Sequence, residues 1–103
     1  MILWVTPQTE GAIASVARER SRQEELVALG KFKETCASPD MVDRDRYLVL
    51  AEEFAEVTTL VSGAAFDAEP PEEYDRKLRA ELVQVAAVAV AWVEAIDAAE
   101  AAS

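Results

Sequence analysis

The chain has 103 residues, 51% hydrophobic and 29% charged, which suffices for one folded domain over residues 1–103 and excludes a disordered tail. Ten Lys and Arg against 20 Asp and Glu give a net charge of -10; this argues against a nucleic-acid polymer or an anionic membrane as the main partner and suits a protein that holds divalent cations. With no histidine and one cysteine, Cys36, the chain excludes His-dependent triads, internal disulfides and Cys-rich metal sites.

The apolar stretch Met1 to Val5 is short and has no basic region before it, so it does not read as a signal peptide. The first helix is expected from Thr6-Pro7, where Thr6 caps and Pro7 suits the first turn, to a stop at Gly30. Its apolar ridges, built on Ile13, Val16, Leu26 and Val27, are broken in mid-helix by Glu19, Arg20 and Gln23. Two readings fit those polar groups. One is a buried ion pair or interface network. The other is substrate contact, with Arg20 or Arg22 meeting phosphate and Gln23 meeting a base or sugar. A loop from Lys31 to about Asp43 follows. Phe32 within it either stacks on a base or packs the loop, and Cys36 has no His partner to make it a nucleophile.

The second helix is expected from Asp43 to Ser62, with Gly63 as its stop, and a second loop contains Glu69-Pro70-Pro71-Glu72. The third helix begins between Pro71 and Glu73 and runs to about Ala99, on the order of 40 Å. The Ala-rich end, Ala95 to Ser103, is expected to fray. The longest uninterrupted apolar run, Val85 to Val93, is about half a membrane span, so the expected location is the cytoplasm. No segment sustains the period of a strand, and the fold class is all-α, an antiparallel helical bundle. A stretch that is apolar on every face must be buried on every face, which two other helices cannot provide; a homodimer supplies the missing cover.

On a helical wheel, Glu53 and Glu56 lie one turn apart on a flank bordered by Val49, Val57 and Leu60. Glu81 falls amid Tyr74, Val85, Val88, Trp92 and Ile96, and Gln84 lies one turn on, between Ala91 and Ala95. Glu52 points further out. The acids Glu52, Glu69, Glu72, Glu73, Glu94 and Glu100 are read as solvated. Buried, unpaired carboxylates are costly, and no Lys or Arg lies between Arg46 and Arg76 or after Arg79 to neutralise them. A bound Mg²⁺ or Mn²⁺ is the economical counter-charge, because all-oxygen ligand sets select these ions.

These segments resemble the MazG-like, all-α nucleoside triphosphate pyrophosphohydrolases, whose signature is E-E-x-x-E, a gap, then E-x-x-D. Glu52-Glu53-Phe54-Ala55-Glu56 supplies the first half and Glu81-Leu82-Val83-Gln84 the second, with 24 residues between Glu56 and Glu81. Glu19-Arg20-Ser21-Arg22-Gln23 and the stretch from Gly30 to Ala37 look like the E-R-x-R-Q and G-R-F-x-x-T-C-A stretches of a bacterial and phage branch. The departure is Gln84, which stands where Asp is usual and brings an oxygen without a charge. The resemblance implies a bundle completed by dimerisation and Mg²⁺, with Mn²⁺ as substitute, on Glu53, Glu56, Glu81 and Gln84. Glu52 would orient water or hold a second ion. The implied reaction cleaves an NTP or dNTP between the α and β phosphates, releasing a monophosphate and pyrophosphate. The groups expected around that substrate are Glu19, Arg20, Arg22, Gln23, Lys31, Phe32 and Lys33. Two other functions fit parts of the sequence: a catalytically weak nucleotide-binding or regulatory relative, motivated by Gln84, and an acidic helical protein-interaction module, motivated by the charge.

Overall fold

A computed structural model describes residues 4–63 and 70–103. Residues 1–3 of the apolar N-terminal stretch and 64–69 of the expected second loop lie outside the described residues. The described chain is all-α, with three helices in the order α1 (Pro7–Ala28), α2 (Asp43–Gly63) and α3 (Pro71–Ala102).

Each helix begins where its sequence offers a start. The Thr6 hydroxyl accepts a hydrogen bond from the Thr9 amide at 3.1 Å and Pro7 opens the first turn. Asp43 and Asp45 place negative charge in the first turn of α2, and Glu72 and Glu73 do so in α3 behind Pro71. α1 ends through Gly30, whose φ of 74° lets the chain reverse while the amides of Lys31 and Phe32 return to the Leu26 carbonyl. At its far end α3 does not fray as its composition suggests; it stays helical through Ala102, one turn beyond the expected stop.

Among the described residues, α1 and α2 each pack their backbones on α3 rather than on one another. α2 runs antiparallel to α3, since Asp43 meets Trp92 at one end and Glu56 meets Glu81 at the other. Successive helices are antiparallel, as expected, so α1 and α3 point the same way. Ser15 meets Arg79 and Arg20 meets Glu94, so α1 advances along α3 in the same sense. The loop of residues 29–42 reverses the chain between α1 and α2.

The core is thin and made of small side chains. Cys36, Val88 and Ala91 form its centre, with Ala37, Met41, Val49 and Leu50 against them. Arg46 ties the loop to α2, its guanidinium donating to the carbonyls of Cys36 at 2.9 Å and Ser38 at 2.7 Å and pairing with Asp43. Much apolar surface stays outside: Phe54, Val93, Ile96 and Leu82 are each about half exposed. The accessible surface is 7619 Å², where a compact monomer of this mass is expected to show about 5,700 Å². The radius of gyration is 15.8 Å against about 13 Å for a compact domain of this length. By length and composition α3 is apolar enough to cross a membrane, a test that the central helix of a bundle also passes; 17% of its most apolar window is buried.

Candidate metal centre and adjoining cavity

The antiparallel packing of α2 on α3 brings Glu53, Glu56 and Glu81 together. One carboxylate oxygen from each lies within 4.8 Å of the others. Glu53 and Glu81 are half-buried and Glu56 is exposed, so the wheel's even treatment of Glu53 and Glu56 is corrected: Glu56 closes the cluster from the solvent side. The Oε2 atoms of Glu53 and Glu81 are buried and have no hydrogen-bond partner. A buried acceptor without a donor costs about 1–3 kcal/mol, more when charged, and two of them in one cluster require something electropositive.

The cluster's electrostatics state the same need. A hydrogen bond shared with Glu56, then burial, then the charges of Glu56 and Glu53 push the Glu81 carboxyl up to about 7. Burial first, then the charges of Glu56, Glu19 and Glu52, raise Glu53, and Arg22 only partly opposes them. Three carboxylates from two packed helices, with two orphaned oxygens, fit Mg²⁺ or Mn²⁺, and the absence of sulfur or imidazole donors disfavours zinc or copper.

Beside Glu53 a cavity of about 280 Å³ opens between α1, the loop and the α2–α3 pair. Glu19, Arg22, Gln23 and Phe32 line it with Gln84, so five positions singled out from sequence come together there. Glu19 and Arg22 form a bidentate pair at 2.9 and 2.7 Å, which holds the guanidinium at the cavity edge. Lys31 and Lys33 are exposed and do not line the cavity, and Glu52 is exposed outside the carboxylate group. Arg20 is turned into the protein. It donates to Glu94 at 2.8 Å, to Gln23 Oε1 at 2.8 Å and to Glu24 at 2.8 Å, and is 8% exposed. The network reading of the mid-helix polar residues therefore describes Arg20, and Glu94, expected to be solvated, is its partner.

The sequence did not single out Glu24 as Arg20's partner, nor Val49 and Val88 as cavity walls. Thr35 donates to Glu24 at 2.8 Å and reaches the cavity from the loop. The spacing of Arg20 and Glu24, one turn apart, is the available signal for that pair. A separate depression of about 390 Å³ touches Glu56 and Glu81 together with Arg76 and Lys77. Another depression, about 580 Å³, lies at the C-terminal end of α3 and includes none of the three clustered acids. Cys36 is 4% exposed, and burial raises its thiol pKa against the opposing charges of Arg46 and Arg20, which is a packing role rather than a nucleophile's.

Comparison with protein-family models, curated proteins and solved structures gives no match.

Proposed function

We propose that this protein is a Mg²⁺-dependent nucleoside triphosphate pyrophosphohydrolase of the MazG-like kind, acting in the cytoplasm. The observation that carries the reading is the convergence of Glu53, Glu56 and Glu81 with two buried, unpartnered oxygens. The four sequence segments that resemble that group support it.

Glu53, Glu56 and Glu81 would hold the cation, and Gln84, which lines the cavity with Glu53, would offer a neutral oxygen. When bound, Mg²⁺ neutralises phosphate oxygens and lowers the pKa of the attacking water. Water adds at the α phosphorus, the bond to the α,β-bridging oxygen breaks, and that oxygen leaves with pyrophosphate. Arg22, kept in place by Glu19, faces the substrate as a positive group in an otherwise acidic site. Phe32, Val49 and Val88 give the adjoining cavity the apolar walls that a base requires. Lys31 and Lys33, exposed on the loop outside the cavity lining, add positive charge for incoming phosphate. Glu52, outside the group, orients water.

The active form in this reading is a homodimer. Excess accessible surface and half-exposed Leu82, Val93 and Ile96 on α3 support it. An acidic interaction module would spread its acids over exposed faces, whereas here two of the three clustered acids are half-buried.

The test is incubation with a panel of ribo- and deoxyribonucleoside triphosphates and Mg²⁺. Monophosphate and pyrophosphate in equal amounts are expected. Nucleotide binding without either product would transfer the protein to the sequestering or regulatory class.

A further inference from the structure

Gln23 sits where the buried ion network meets the cavity. Its side-chain oxygen accepts from Arg20 Nη1 at 2.8 Å. Arg20 has no freedom to release it. Its Nε donates to Glu94, its Nη2 donates to Glu24, and it is 8% exposed. A guanidinium is only a donor and stays protonated, so the Gln23 amide is locked with its oxygen towards Arg20 and cannot flip. Its NH₂ group makes no hydrogen bond among the described residues, and Gln23 lines the cavity beside Phe32, Val49, Val88 and Glu53. The residue that reads a ligand there offers donors and no acceptor.

We propose that Gln23 is a specificity-determining residue that selects oxo bases over their amino counterparts, with Arg20 as the positioning residue that fixes its amide. This rests on the nucleotide reading of the site. An oxo base, uracil or hypoxanthine, presents a carbonyl oxygen to the Gln23 NH₂. Cytosine or adenine in the same pose presents an amino group, so donor faces donor and both are left unpaired. Sites built on a placed hydrogen-bonding group discriminate in this way because the mismatch leaves buried polar groups unsatisfied. Phe32 and the two valines supply faces for the ring and carry no preference between the two bases.

The test uses α,β-methylene analogues of UTP, CTP, ITP and ATP, which bind without cleavage, and tripolyphosphate as a ligand with no base. Binding is measured calorimetrically with Mg²⁺ for the native chain, Gln23→Glu and Gln23→Met. Gln23→Glu keeps an oxygen for Arg20 and replaces the NH₂ with a second acceptor. Gln23→Met removes the donor without adding charge. Helical circular dichroism verifies that each variant is folded. The native chain is expected to bind each oxo analogue at least fivefold more tightly than its amino partner. Gln23→Glu should weaken the oxo analogues about tenfold and reverse the ranking, Gln23→Met should flatten it, and tripolyphosphate should change less than threefold. Equal binding of oxo and amino partners by the native chain, or a native ranking kept by both variants, overturns the proposal. Pyrophosphate release is followed in parallel with the cleavable nucleotides. A base preference that depends on Gln23 without product formation keeps this proposal and removes the hydrolase reading. Product formation with no oxo preference does the reverse, and absence of all binding removes both.

Discussion

Two clusters of ionisable side chains adjoin the same cavity, one through Gln23 and Thr35 and the other through Glu53, and they are built on opposite terms. Around Arg20, polar groups are satisfied within the chain: one guanidinium meets Glu94, Glu24 and Gln23, and Thr35 donates to Glu24 in turn. Around Glu81, charge is left unbalanced: three acids share a space of 4.8 Å, and two of their oxygens have no partner. A chain that can satisfy one buried network this fully has not failed by accident at the other. The satisfied cluster ties α1 and the loop to α3, and in the proposed reading the unsatisfied one takes its counter-charge from a cation.

The comparison breaks if the carboxylates behave like the arginine network. Glu53→Gln and Glu81→Gln should each reduce pyrophosphate release on the order of a hundredfold, the scale expected for losing one charge-stabilising group at a reacting centre. The metal-free protein should melt no lower than the native chain in either variant, because a repelling charge has gone. Glu52→Gln should cost far less turnover than either. Steady-state rates and metal-free thermal melts on the same preparations check all three. Arg20→Met should do the opposite, lowering stability by about 2 kcal/mol in urea titrations, since a hydrogen-bonded buried charge is lost. The cost stays moderate because Glu24 and Glu94 are half exposed and recover water.

The pH dependence sharpens the contrast. Glu81 is pushed up to about 7, so between its ordinary range and 7 the folded, metal-free protein holds a proton that the unfolded chain has lost. The folded state then binds more protons, and stability falls as pH rises from about 5 to 7 and levels off above. Denaturant titrations without metal should follow that slope, and Glu81→Gln should flatten it. Two smaller effects remain. Gln84→Asp restores a fourth charge beside Glu53 and should tighten Mg²⁺ several-fold in a calorimetric titration. Cys36→Ser should leave turnover within about twofold of native, as expected for a buried thiol with a raised pKa.

The helices and the acid cluster were legible in the sequence because both follow from local rules. Thr6-Pro7 and Pro71 announce helix starts, and the wheel brings Glu53 and Glu81 to the apolar flanks that pack together. The partners of the arginines were not legible. Arg20 and Glu94 are 74 positions apart, and their meeting depends on α1 running along α3 in the same sense. Periodicity identifies which face of a helix is buried, not which residues of its neighbour it meets. The same gap explains why Glu94 reads as solvated and why Arg20 reads as a group free for phosphate. Likewise, nothing in the loop's composition announces that Arg46 will bind the carbonyls of Cys36 and Ser38. The Ala-rich end of α3 was misjudged for a different reason. Alanine is a strong helix former, and its weak side-chain packing does not cancel that propensity.

The most direct test of the central claim, that Glu53, Glu56 and Glu81 hold a divalent cation, is the thermal melt of the native chain and of the Glu53→Gln/Glu56→Gln/Glu81→Gln variant with and without Mn²⁺. A ligand at a hundred times its Kd adds about 2.7 kcal/mol to the folded state. The native chain should therefore melt several degrees higher with saturating Mn²⁺, and the triple variant should not move. An equal rise in both proteins, or none in the native chain, would contradict the account.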